Sequence, residues 1–367
     1  DEWLNKRAAD VEKKTGKRVP NLYKDWRKVI DNKDVDAVII GTPDHWHCLP
    51  TIWACQAGKD VYVEKPLSNT IEECDLMVKA ARKYNKIVQV GQWQRSDPHW
   101  DEASGFLKKG SIGRIRTVKV WAYQDGKPTL PKKPDCDPPA GVDYDMWLGP
   151  APKRPFNPYR FHYNFRFFWD YAGGLMSDWG VHLLDYAMEG MNAGFPERIY
   201  GSGGKFAYPD DAMETPDTLM ATYTYPEFNM IWDHACGINH GLYDRREGLA
   251  FYGENGTLVL DRAGWEVIPV VSGGKARMEA VPLKKGEGKG LYNHVGNFLE
   301  CMKSRRLPHA DVAIGAKVAK LAHFANISCR VCREVKWDDE NHLFVGDEQA
   351  TALAKAYYRA PWELPKL

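Results

Sequence analysis

Lys65 lies between an acid and a proline in Glu64-Lys65-Pro66, directly after the short apolar run Val61-Tyr62-Val63. A lysine partly desolvated at a cleft can lower its pKa or hold a hydroxyl by a charge-assisted hydrogen bond. A surface lysine in a turn is the plain alternative, but the strand that delivers this one and the repeat around it favour the cleft. A second set follows in Gly173-Gly174-Leu175-Met176-Ser177-Asp178-Trp179-Gly180-Val181-His182-Leu183-Leu184-Asp185. Here Asp178, His182 and Asp185 recur at i, i+4 and i+7, which places them on one face of a helix predicted over 175–188. A histidine with a carboxylate one turn away suits proton transfer, the carboxylate orienting the imidazole and stabilising its charged form. A helix-surface ion pair or a satisfied core histidine is the competing reading. The glycine pair, the flanking aromatics and Arg166 weigh towards chemistry.

The elements that must position these groups read as follows. Apolar runs predict strands over 37–40, 61–63 and 87–90, with helices over 49–57 and 70–84 between them. Gly58 closes the first helix, and Thr70 with Glu73 forms a capping box that opens the second. Strand, crossover helix and strand repeated this way predict a parallel sheet with right-handed connections. Ligands bind at the carboxyl ends of such strands, where Thr42, Pro43, Glu64, Lys65 and Gln92 fall. A nucleotide-binding half normally opens with a strand, a G-x-G-x-x-G turn and a helix, and that motif is absent from the sequence. The expected fold is therefore α/β: an N-terminal Rossmann-type parallel sheet, its first strand-helix-strand absent, plus a C-terminal α+β domain with a large, mostly antiparallel sheet. The division is expected near Arg95, giving parts 1–95 and 96–367.

Ahead of the first strand the sequence predicts helices over 2–15 and 26–31. Beyond Gln92 come a helix over 98–109 and a strand over 115–123. The proline-rich 126–158 reads as an ordered excursion at the rim of a cleft. Alternating strands are expected over 198–206, 218–225, 228–234, 248–252, 257–261 and 266–271, and helices over 292–302 and 312–331. His294 opens the first of those helices, where a cleft role competes with simple capping. One face of the second sheet should pack on helices and the other could be an oligomer surface.

Composition excludes several classes. With 367 residues the chain can hold two domains and a substantial core. Its formal charge of +1, without a basic block interleaved with aromatics, argues against nucleic acid. No apolar run reaches the ~18 residues of a membrane span. The eight cysteines give no disulfide framework, and Cys329 and Cys332 lack the second pair that a metal site needs. His45-Trp46-His47 could point two imidazoles one way only on a strand, and it lies where a loop enters a helix, so no metal is expected. Fourteen tryptophans and eighteen tyrosines hint at sugars, whose apolar faces stack on rings.

With both dense stretches in view the sequence resembles the Gfo/Idh/MocA family of glucose–fructose oxidoreductase and inositol dehydrogenase relatives. Glu64-Lys65-Pro66 matches its E-K-P, and Gly173 to Asp185 matches its G-G-x-x-x-D-x-G-x-H-x-x-D. The resemblance implies NAD or NADP and hydride transfer at a hydroxyl-bearing carbon of a sugar, glycoside or cyclitol. Lys65 would bind the reacting hydroxyl, His182 would accept and return its proton, and Asp178 would support both. Thr42, Pro43, His45, Glu64 and Lys65 would line the cofactor, with Gln92 at its nicotinamide end. Arg95, Arg166, Trp169, Asp185 and His294 are the candidate substrate contacts. The resemblance also implies a homo-oligomer, dimer or tetramer, in the cytoplasm, or in the periplasm if a missing beginning carried an export signal. A redox-neutral NAD-dependent glycosidase and a non-catalytic sugar- or nucleotide-binding module are the alternatives.

Overall fold

The structure, a computed structural model, describes residues 2–127 and 129–367. Helices α1 (Glu2–Thr15) and α2 (Trp26–Asp31) lead into three parallel strands, β1 (Ala37–Ile40), β2 (Asp60–Val63) and β3 (Val88–Val90), paired in that order. Val61 sits opposite both Val38 and Val88 in register, so β2 is the central strand and is buried along its length. Helices α3 (Cys48–Gln56) and α4 (Ile71–Lys83) make the two crossovers. The capping box at Thr70 and Glu73 forms as its spacing predicts, each residue satisfying the other's backbone N–H.

Eight further strands form one sheet, and two short two-stranded ribbons lie outside it. Its members are β4 (Thr117–Gln124), β5 (Arg198–Gly204), β6 (Thr218–Thr224), β7 (Asn229–Cys236), β8 (Glu247–Tyr252), β9 (Gly256–Asp261), β10 (Gly264–Pro269) and β11 (Val281–Lys285). All neighbours run antiparallel except β4 and β7, which pair in parallel at the middle. The alternation that predicts these strands also assigns their faces. Ile199, Leu219, Ala221 and Tyr223 point inward, while Tyr200, Met220 and Thr222 point out. The edge strand β11 escapes the sequence reading because only Val281 of its five residues is more than marginally covered, so it carries no apolar signature.

Against the inner face pack α5 (Pro98–Lys108), α8 (Gly180–Met191) and the twenty-residue α10 (Val312–Val331), with Trp100, Tyr186, Trp232, Phe251, Trp265 and Phe324 fully buried between the layers. The helix predicted as one over 175–188 is two: α7 (Gly174–Asp178) and α8, separated by Trp179. The His182 N–H bonds to the Trp179 carbonyl, three residues back, so the turn tightens there and the i, i+4 phase is lost.

Helix α6 (Tyr144–Leu148) lies in the 126–158 excursion and α9 (Gly290–Ser304) precedes α10, which serves both sheets. The first half of α10 supplies Val312, Ala316 and Ala319 to the core around the parallel strands. Its capping Asp311 pairs with Arg82 of α4 and bridges to Gln89 of β3. Gly315 is where the helix touches the sheet: a Cβ there would lie 2.4 Å from Val90 Cγ2. Gly315→Ala should therefore destabilise the protein by ~1–3 kcal/mol, read as a lower urea midpoint with an unchanged slope.

Candidate active site

The carboxyl ends of β1, β2 and β3 meet the bend between α7 and α8. Lys65, just past β2, crosses this gap and donates to Asp178 twice, to Oδ1 at 2.6 Å and to the backbone carbonyl at 2.9 Å. The helix break makes the second bond possible, because the carbonyl at the end of α7 has no partner one turn on. Both side chains are about one-seventh exposed. Burial alone would push Asp178 up, but Lys65, Arg166 and Lys127 outweigh it and hold the carboxyl well below the usual range. Arg166 Nε lies 3.5 Å and Lys127 Nζ 3.9 Å from the carboxylate.

His182 is buried on the first turn of α8. Burial, then the nearby Lys65 and Arg262 cations, hold its imidazole well below the ordinary value, with Asp178 opposing only in part. The ring is thus neutral around neutral pH, and its Nδ1 has no hydrogen-bond partner. The expectation that Asp178 orients this imidazole is corrected by the bend: Asp178 turns to Lys65 instead. The ring's position is set through the backbone. Gln92 donates to the Val181 carbonyl and Gln94 to that of His182, both at 3.3 Å, tying α8 to the end of β3.

The candidate substrate contacts divide. Arg166 joins Lys65, Asp178 and His182 in one place. Arg95 and Asp185 do not: they form a two-pronged ion pair at 2.6 and 2.7 Å, extended by Glu189 at 3.1 Å. His294 is wholly buried, its ring between the Val90 carbonyl and Ser96 Oγ at 2.9 and 2.7 Å. That corrects the cleft reading for His294 and for the Arg95–Asp185 pair, whose polar groups are taken up by structural partners. Trp169 carries Arg330 on its ring and donates its N–H to Glu214, in the wall of a small cavity of about 30 Å³ that also contains His323 and Asn326.

The Asp44-His45-Trp46-His47 turn also resolves. His47 spans the carbonyls of Thr42 and Pro66 at 2.9 and 2.7 Å, clamping the turn after β1 to the turn that holds Lys65. His45 packs between Trp147 and Tyr171 and bonds to the Trp147 carbonyl at 3.0 Å, so it is held by the 126–158 excursion rather than left open beside β1. Among the described residues no cluster of metal-ligating side chains exists. Sequence reading missed Asp44, Lys127, Tyr163 and Arg262. Lys127 donates to Tyr163 Oη at 2.6 Å. Arg262 stacks on Trp93 and Trp179 and donates to Gln94. Burial pushes Asp44 up to about 7, against the pull of Arg166 and Lys65.

Comparison with known proteins bears on the family and the fold. Residues 4–92 match the oxidoreductase family GFO_IDH_MocA, with its NAD-binding Rossmann fold, and residues 108–192 and 288–364 match that family's C-terminal alpha/beta domain. The chain belongs to this family. Levoglucosan dehydrogenase of Pseudarthrobacter phenanthrenivorans is 36% identical over 118 residues, which are 32% of this chain and 30% of that one. The scyllo-inositol 2-dehydrogenase (NAD(+)) of Bacillus subtilis is 32% identical over 125 residues, 34% of this chain and 36% of that one. The chain thus aligns with only about a third of the length of these two relatives. A solved levoglucosan dehydrogenase, in complex with NADH and levoglucosan, shares the fold with a TM-score of 0.67 at 21% identity, covering 91% of this chain and 87% of that one. The aldose-aldose oxidoreductase of Caulobacter crescentus does so with 0.67 at 20%, covering 90% and 89%.

The strand ends fit the nicotinamide end of such a cofactor. Thr42 Oγ1 and Gln92 Oε1 are buried there without hydrogen-bond partners. Gly91 lets the Glu64 carboxylate lie against the backbone, since a Cβ there would come 2.6 Å from Glu64 Oε2. Thr42, Glu64 and Gln92 are the residues that would hold it. No helix among the described residues is long and apolar enough to cross a membrane.

The Arg95–Asp185 reading can be tested by stability. Asp185→Ala should cost ~3–5 kcal/mol in urea unfolding, because it leaves a buried guanidinium short of its main partner.

Proposed function

We propose that this protein is an NAD-dependent dehydrogenase acting on a hydroxyl-bearing carbon of a sugar, glycoside or cyclitol. The observation that carries the reading is the convergence of Lys65, Asp178 and a neutral, buried His182 at the carboxyl ends of a parallel sheet of the NAD-binding family. In this reading Lys65 holds the substrate oxygen by a charge-assisted hydrogen bond, and Asp178 fixes the ammonium in place. His182 takes the hydroxyl proton as the carbon–hydrogen bond breaks, and returns it in the reverse direction. Bound NAD supplies the hydride acceptor. The levoglucosan and scyllo-inositol dehydrogenases among the similar proteins support the substrate class. The outward Tyr200 and Met220 of the large sheet support self-association through that face.

Lys65→Ala should abolish NADH formation while leaving the melting curve nearly unchanged, since Arg166 and Lys127 still neutralise Asp178. Unaltered turnover would sink the assignment. His182→Ala should lower kcat by ~10²–10⁴-fold with a smaller change in KM. Net NADH accumulation with substrate would exclude a redox-neutral glycosidase.

The acid side of the pH profile follows from the neutral imidazole. A proton acceptor works in its unprotonated form, so activity should persist on acidification until pH falls through the depressed His182 value. A break in kcat/KM at the ordinary histidine value of 6.5 that vanishes in His182→Gln would contradict this.

A further inference from the structure

Three cations crowd one carboxylate in this cleft. Asp178 has Lys65 at 2.6 Å, Arg166 at 3.5 Å and Lys127 at 3.9 Å. Arg262, buried against two indole rings and facing Glu247 as well, adds a positive charge felt by Asp178 and His182. Two other carboxyls feel Lys65 and Arg166. These are Asp44 and Glu64, and burial raises both, Asp44 to about 7, so the surplus of cations is read around Asp178 itself.

The other hydrogen-bond and ring contacts of Lys127 and Arg166 are with neutral groups. Lys127 is 7% exposed, donates to Tyr163 Oη and lies over the Tyr163 and Phe167 rings. Arg166 donates to the Tyr163 carbonyl and stacks on Tyr163 and Phe165. An aromatic scaffold therefore holds both cations in place without neutralising them. Partly desolvated cations in such surplus call for an anion.

We propose that the substrate supplies it: Lys127 and Arg166 receive an anionic oxygen group, a carboxylate or a phosphate ester, so that the protein acts on an acidic sugar. The substrate class rests on the dehydrogenase reading; the anion preference does not. Lys127 and Arg166 set specificity here, while Lys65 holds the reacting hydroxyl.

The test is titration calorimetry on the protein with matched sets: gluco-, galacto- and manno-hexoses, their uronates and their 6-phosphates. One anionic series should bind ~10–100-fold more tightly than its neutral hexoses, and which series does so tells carboxylate from phosphate. Lys127→Gln and Arg166→Gln should each weaken that series ~10-fold more than the neutral one, while Arg166→Lys keeps most of the preference. Binding that is equal across each set, stronger for neutral hexoses, or absent throughout overturns the proposal. So does an anion preference that both Gln variants leave intact. A bound acidic sugar that yields no NADH in any direction of assay would strike the dehydrogenase reading and leave the anion preference standing.

Discussion

The Lys65–Asp178 contact joins two pieces of chain more than a hundred residues apart, and much of the structure serves to let it form. The lysine is offered by the end of a buried parallel strand. The acid is the last residue of a short helix, so both its carboxylate and its backbone carbonyl accept from the same ammonium. A buried ion pair is costly to desolvate and rewards only good geometry. Here geometry is enforced from both sides. His47 clamps the lysine's turn to the neighbouring strand end, while Gln92 and Gln94 hold the first turn of α8 against β3.

The electrostatics of the cleft follow from that arrangement. Around one strongly acidic carboxylate stand several cations. The imidazole beside them stays neutral because burial and positive neighbours both oppose its protonation. A neutral imidazole and an ammonium in one pocket divide the labour of a proton acceptor and an oxygen clamp. Had Asp178 faced His182 instead, the histidine would be the more charged and the lysine the less anchored of the two.

Local sequence carried a large part of this. The β-branched runs at 37–40 and 87–90, the alternation at 198–204 and 218–224 and the Thr70–Glu73 box are short-range patterns, and each produced the element it predicts. Lys65, Asp178, His182 and Arg166 were legible by type and spacing, and they meet. The break at Trp179 was not legible, because apolar periodicity continues through it; the phase change is made by one tightened turn. Arg95, Asp185 and His294 look chemical in sequence, yet each had a buried structural partner that only the tertiary fold supplies. Lys127, Tyr163 and Arg262 were invisible for the opposite reason. They lie in an irregular excursion, a short 3₁₀ turn and a strand-end turn, and only the topology carries them to the cleft.

Residues 355–364 fold back over the parallel-sheet layer. Tyr358 bonds to the capping Glu73 at 2.6 Å, Arg359 donates to the Gly149 carbonyl at 3.1 Å, and Trp362 packs edge-on against Trp46. Together with α10 they cover a core whose strands lie almost three hundred residues earlier. During synthesis, then, strands β1 to β3 emerge long before their cover exists. The layer that presents Lys65 is thus completed only by contacts of high sequence separation, which form slowly. Without α10 and residues 355–364 the motif would remain in the chain while the core that supports its strands lay uncovered.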